Sequence, residues 1–283
     1  SEFECPALMP GGGEPDVYLY YGKTPESMEK ATFSGRFFAV KPGQLLFYVD
    51  GVARYFVTNG REISVEPAEG SDADAVRLFL FGNVFAGLLQ QRGHLPLHGS
   101  AVETGDGVAV FVGRHGAGKS TLAAAFRSRG YRIFTDDLCV ITRKHDDTPE
   151  AHPGYPEMKM TVETANRLGV DVTSLRNIET WKKKYVLPFQ ERFSDHPRPL
   201  TRVYLLNPSQ EENFELISVE GLDKFQVLLA HTFRHDFLEG LGKGAAHFQL
   251  AMSIARHVVM KRVVRPREGF RLNELVDLLE RDF

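Results

Sequence analysis

The chain has 283 residues, 42% hydrophobic and 25% charged, enough apolar material for a sizeable core in one large domain or two ordinary ones. A formal net charge of −3 and a sequence pI near 6.4 exclude a global positive field, so neither nucleic acid nor an anionic membrane is an expected partner. Only two cysteines occur, Cys5 and Cys139, far apart; this argues against a disulfide framework and makes a reducing, cytoplasmic setting the default.

Ser1, Glu2 and Phe3 read as a cloning remnant and residues 4–16, with Pro6, Pro10, Gly11, Gly12, Gly13 and Pro15, as a flexible leader, so that 1–16 is leader and remnant together. Between 17 and 66, short aromatic and β-branched runs predict strands at 17–21, 36–40, 45–49, 54–57 and 62–65. Pro42-Gly43, Asp50-Gly51 and Asn59-Gly60 punctuate them, the last two as hairpin-turn pairs. Residues 17–70 are thus expected to form a small antiparallel β module, and 71–283 a second domain. Ser71 or Asp72 caps an apolar helix running to about residue 92. Its most apolar part, 76–89, is interrupted by Arg77, Gly82 and Asn83 and reads as too short to span a bilayer.

The run 97–103 (Leu-His-Gly-Ser-Ala-Val-Glu) turns at Gly105, Asp106 and Gly107 into the apolar run 108–112. So short a link allows no helical crossover, so the two strands should be antiparallel neighbours. Then come Gly113, Arg114, His115, Gly116, Ala117, Gly118, Lys119 and Ser120, followed by Thr121 and a helix-forming run. This fits G-x-x-x-x-G-K-[ST], the Walker A phosphate loop, in its required strand-to-helix setting. The glycines let successive backbone N–H groups turn toward one anion, and the helix N-terminus adds a positive dipole end. Lys119 is expected to reach the β- and γ-phosphates of a nucleoside triphosphate, and Ser120 to ligate Mg²⁺. A glycine-rich turn without a ligand is the competing reading, and the Lys-Ser pair in this context outweighs it.

A strand at 131–135 ends in Asp136 and Asp137, and 138–142 is expected to be its hairpin partner. Residues 143–201 read as loop-rich; a strand at 203–206, helices at 222–233, 245–258 and 272–279 and a last strand at 259–264 follow. A carboxylate at such a strand end can hold Mg²⁺, and a second can accept the proton of an attacking hydroxyl. Neighbours on an extended strand point opposite ways, so one acid should face the phosphates. Asp136 is assigned as base and Asp137 as metal ligand, with the reverse left open.

His98, as a lone histidine, is more often structural than catalytic, and His115 occupies a permissive loop position. Lys182, Lys183 and Lys184 read as a solvated face or as a hold for an acidic peptide or the γ-phosphate. Arg202, Arg234 and His235 are further candidates for stabilising transition-state charge. Tyr155 and Trp181 are placed either on substrate or in the core.

Together, residues 97–102 (Leu-His-Gly-Ser-Ala-Val), 113–121 and 130–137 (Gly-Tyr-Arg-Ile-Phe-Thr-Asp-Asp) resemble the kinase domain of HPr kinase/phosphorylase, which is similar in fold to phosphoenolpyruvate carboxykinase. The likeness covers about residues 95–142 and weakens toward the C-terminus. It implies an α/β, mixed-sheet, P-loop kinase core using ATP and Mg²⁺, with His98 bordering the active site and the Asp pair supplying base and metal ligand. The family's oligomers make a homo-oligomer one expectation. Two departures stand out. Residues 153–160 (Pro-Gly-Tyr-Pro-Glu-Met-Lys-Met) replace the family's glycine-rich signature tied to phosphorolysis, and Thr121 stands where glutamate is usual. With Leu168-Gly169 and 202–206 (Arg-Val-Tyr-Leu-Leu), this segment looks closer to HPr-kinase-like proteins of peptide natural-product pathways. Some of those phosphorylate the C-terminal serine of lasso peptide precursors. The resemblance therefore implies a peptide serine kinase. The alternatives are an HPr(Ser) kinase/phosphorylase-like regulator, a small-molecule hydroxyl kinase, or a switch that binds nucleotide without transferring phosphate.

Overall fold

In a computed structural model the described residues are 14–179, 183–267, 269 and 271–283. The chain is mixed α/β with several sheets. By its contacts it divides into two compact units: the chain up to Pro96 with Phe233–Gln249, and Leu97–Thr232 with Leu250–Phe283. This division differs from the boundary expected after residue 70. The capped helix and the 233–249 segment belong with the first sheet, whose apolar face they cover.

The first sheet comprises β1 (Tyr18–Tyr21), β2 (Phe33–Gly35), β3 (Phe38–Lys41), β4 (Gln44–Val49), β5 (Ala53–Thr58) and β6 (Glu62–Pro67), in the order β1-β6-β5-β4-β3-β2. From β6 to β2 every pairing is antiparallel, as the turn dipeptides foretell, while β1 joins β6 in parallel. Asn59 and Gly60 both adopt positive φ, 52° and 62°, as their hairpin requires. The helical run that follows is α1 (Ala73–Phe79), a π-helical segment at Leu80–Val84, and α2 (Phe85–Gln91). Asp72 caps it, its side chain accepting from the Asp74 N–H. Ala73–Gln91 is, by length and composition alone, long and apolar enough to cross a membrane, a test that a buried core helix also passes; 61% of its most apolar window is buried inside the protein.

The second unit is built on β7 (Leu95–Thr104) and β8 (Gly107–Val112), antiparallel as the short link demands. After the 113–118 loop come α3 (Lys119–Ser128), β9 (Ile133–Thr135), β10 (Leu138–Arg143) and β11 (Pro149–His152). The hairpin expected between β9 and β10 does not form, because both strands pair with β7. Residues 143–201 are also less loop-rich than expected. They hold β11, β12 (Glu157–Met160), α4 (Val162–Arg167), β13 (Arg176–Glu179) and β14 (Lys183–Pro188), with β12, β14 and β13 forming their own antiparallel sheet. The remainder is β15 (Arg198–Ser209), β16 (Glu215–Ser218), α5 (Leu222–His231), α6 (Phe237–Leu241), α7 (Gly244–His257), β17 (Val259–Pro266) and α8 (Leu272–Glu280). The main sheet runs β11-β10-β7-β8-β15-β17-β16, with β8, β15 and β17 parallel. Strand β8 is buried throughout, as a central strand covered on both faces must be. Phe111 on β8 stacks between Phe126 of α3 and Tyr204 of β15, at 5.5 and 5.8 Å between ring centroids. That packing seats α3 on the sheet and fixes where the loop before it lies.

Candidate active site

The segment 113–120 leaves the C-terminal end of β8 and starts α3. Gly113, Gly116 and Gly118 have φ of 152°, 80° and 95°, values that L side chains avoid. At Gly113 space is short as well: a Cβ there would sit 2.9 Å from the Leu206 carbonyl oxygen. Ala117 N–H donates to the Arg114 carbonyl at 3.0 Å, tightening the turn, while Arg114 and His115 are exposed. Arg265, from β17, donates through Nη2 to the Ala117 carbonyl at 2.7 Å and clamps the loop. Lys119 is 8% exposed, and its Nζ donates to the Gly113 and Arg114 carbonyls at 3.0 and 3.4 Å. Burial lowers its pKa, opposed by the charges of Asp137 and Asp136.

Ser120, Asp136 and Asp137 meet beside this loop. Asp136 is 4% exposed. Its Oδ1 accepts from Ser100 Oγ at 2.6 Å, its Oδ2 from the Lys159 backbone N–H at 3.3 Å, and the Ser120 hydroxyl bonds to it too. Burial raises the Asp136 carboxyl above its ordinary value, the Ser100 hydrogen bond opposing and the Asp137 charge adding. Asp137 behaves differently. Its φ of 81° ends the extended run, and its side chain keeps 33% exposure. His98 Nδ1 lies 3.1 Å from the Asp137 carbonyl oxygen and 3.3 Å from its Oδ1; both neighbours are acceptors, so Nδ1 carries the proton and donates. Burial works against ionisation of Asp137, but the His98 hydrogen bond and the charges of Lys159, His98 and Lys184 overcome it and hold the carboxyl well below its ordinary range.

His98, Lys119, Ser120, Asp136 and Asp137 are therefore brought together, and Thr121 follows in the first turn of α3. Arg202 is not with them. It pairs through Nη1 with Asp106 Oδ2 at 2.6 Å, at the opposite end of β8, and through Nη2 with the Phe283 carbonyl at 2.5 Å. Arg234 belongs to the first unit, where it lies over the Phe38 and Phe237 rings at 5.0 and 4.4 Å and pairs with Asp236; His235 is in the same unit. Trp181 and Lys182 lie outside the described residues, whereas Lys184 reaches the electrostatic surroundings of Lys119 and Asp137.

Sequence reasoning missed Ser100, Lys159, His231 and Arg265. Thr232 bridges Leu97, which sets His231 opposite His98 across that bridge. Burial, with Lys119, His98 and Arg114 nearby, pushes the His231 imidazole down to about 4. Among the described residues no group of three or more His, Cys, Asp or Glu could hold a metal by protein ligands alone. The Ser120 hydroxyl beside the Asp136 carboxylate is a pair of hard oxygen donors that suits Mg²⁺, which commonly takes one or two protein ligands and completes its shell with phosphate and water.

No protein-family model and no curated protein matches the chain. A solved structure, that of the HPr(Ser) kinase/phosphatase from Coxiella burnetii, is similar over 66% of this chain and 88% of that one, with 10% identity and a TM-score of 0.36.

Proposed function

We propose that the protein is an ATP- and Mg²⁺-dependent kinase that phosphorylates a serine hydroxyl of a peptide, the C-terminal serine of a ribosomal, lasso-type precursor being the first candidate. One observation carries the reading: a glycine loop heading a helix, with its Lys119 and Ser120 facing Asp136 and Asp137. The peptide acceptor is supported by the resemblance carried by residues 153–160 and 202–206. Peptide and nucleotide are thus the partners the reading requires, in a cytoplasmic setting.

In this reading the loop amides, the start of α3 and Lys119 hold the phosphates. Ser120 and Asp136 would hold Mg²⁺, which when bound supplies charge neutralisation on the phosphates. The two acids thereby exchange the roles first assigned to them. Asp136 is buried against Ser120, whereas Asp137 is ionised at neutral pH and open enough for a hydroxyl to reach. His98 orients Asp137 through its Nδ1–H. The seryl oxygen bonds to the γ-phosphorus as the bond to the bridging oxygen of ADP breaks, and the seryl proton passes to Asp137. Positioning and charge neutralisation supply most of the rate.

The test is incubation with γ-labelled ATP and a panel of serine-ending peptides, free serine and small alcohols. Label on a peptide is the expected result. Label confined to a small alcohol would make the protein a small-molecule kinase, and bound or hydrolysed nucleotide alone would make it a regulator. No uptake of Mg-nucleotide by folded protein would remove the phosphate site altogether.

A further inference from the structure

Lys159, on β12, has no part in the roles above, yet its side chain is only 8% exposed. An ammonium at that depth is costly unless its charge is answered. Its Nζ lies 3.6 Å from Asp137 Oδ2 and 5.8 Å from the centroid of the Tyr155 ring, and it hydrogen-bonds to Tyr155. Its own backbone N–H donates to Asp136 Oδ2 at 3.3 Å. A single residue therefore touches both neighbouring carboxylates, one through its main chain and the other through its side chain. Neighbouring carboxylates repel each other, and here each is tied to a different donor of that residue.

The segment that leads into Lys159 is the Pro153-Gly154-Tyr155-Pro156 turn. Gly154 N–H donates to the Phe134 carbonyl at 3.0 Å. A Cβ on Gly154 would fall 2.3 Å from Thr135 Oγ1, so only glycine lets the turn lie this close to β9. On the far side, Phe189 N–H donates to the Pro156 carbonyl at 3.0 Å, and β12 pairs with β14 in the register Lys159↔Val186. The turn is thus pinned to the strand that leads into the acids.

We propose that Lys159 is a positioning residue that keeps Asp136 and Asp137 in separate orientations, its amide on the first and its ammonium on the second, and that the 153–156 turn serves to place it. The assignment rests on the kinase reading above.

The experiment compares Lys159→Met, Lys159→Arg and Lys159→Ala in the labelled-ATP assay, alongside calorimetry of Mg-nucleotide binding. Lys159→Met should lose about 100-fold in kcat, the scale of a misplaced catalytic group. Its nucleotide Kd and acceptor KM should stay within about threefold, the pattern of an interaction lost from the transition state alone. Lys159→Arg should recover most of the rate, and propylammonium should rescue Lys159→Ala. An unchanged kcat in Lys159→Met, a loss of nucleotide binding in proportion to activity, or an arginine variant no better than methionine would overturn the proposal. Should the methionine variant not fold, the arginine variant and the amine-rescued alanine variant decide it on the same criteria. A thermal-melting cycle of Lys159→Met with Asp137→Asn gives a readout independent of turnover. The double variant should lose less Tm than the two single shifts added together, and additive shifts would overturn the pairing. Absence of transfer by the wild type would sink the kinase reading instead, leaving the melting cycle to decide whether Lys159 organises the pair.

Discussion

Asp136 and Asp137 stand next to each other in sequence and receive opposite treatment from the fold. Their presence at a strand end was legible from the chain. Their different surroundings were not, because these depend on the left-handed backbone at Asp137 and on donors from β7 and β12. Lys119→Ala and Asp136→Asn should each abolish phosphotransfer while the far-UV circular dichroism remains that of the wild type. Turnover at the wild-type rate in either variant would contradict the site. A separate consequence concerns acid. Burial, with His235 nearby, pushes His247 of the first unit from an ordinary 6.5 down to about 4. The unfolded chain then binds the proton that the folded one refuses, so stability is full above pH 6.5 and falls as pH drops toward 4. The two values imply a loss of about 2 kcal/mol at pH 5. Urea midpoints at pH 7.5 and 5 should show that loss, and His247→Gln should reduce it.

Elements with a strong local pattern were read nearly to the residue. Helix 222–233 is observed as Leu222–His231, helix 272–279 as Leu272–Glu280, and the last strand, 259–264, as Val259–Pro266. The hairpins at Asp50-Gly51 and Asn59-Gly60 form with positive φ at Gly51 in the first and at both Asn59 and Gly60 in the second, conformations these residues adopt cheaply. The small sheet of β12, β14 and β13 went unread. Its strands are short, and β12 alternates polar and apolar residues over only four positions, Glu157 to Met160, before pairing with β14 well downstream. That is why Lys159 was missed. Gly154→Ala tests what the unread element does. With no room against Thr135, the added methyl must push the turn outward, at a cost of about 1–3 kcal/mol typical of overpacking. Transfer should slow markedly while nucleotide affinity, measured by calorimetry, holds. Loss of both together would show that the turn merely supports the fold.

At the scale of the molecule, the chain passes between its two units three times, at residues 96, 232 and 249. Length and composition allowed one large domain or two ordinary ones but could not show this interleaving, which depends on which distant segment completes which sheet. Strand β17 is the clearest instance, pairing in parallel with β15 over eight positions, Arg202↔Val259 to Ser209↔Pro266. A chain cut before residue 259 should therefore fail to melt cooperatively and should not bind Mg-nucleotide, even though it keeps the whole glycine loop. Cooperative melting with binding intact would show that the strand is dispensable. The same strand carries Arg265, whose guanidinium holds the Ala117 carbonyl from 148 positions downstream. During synthesis the ribosome releases the loop long before its clamp has been made. The 113–118 loop consequently gains this hydrogen bond only once β17, near the end of the chain, has been made.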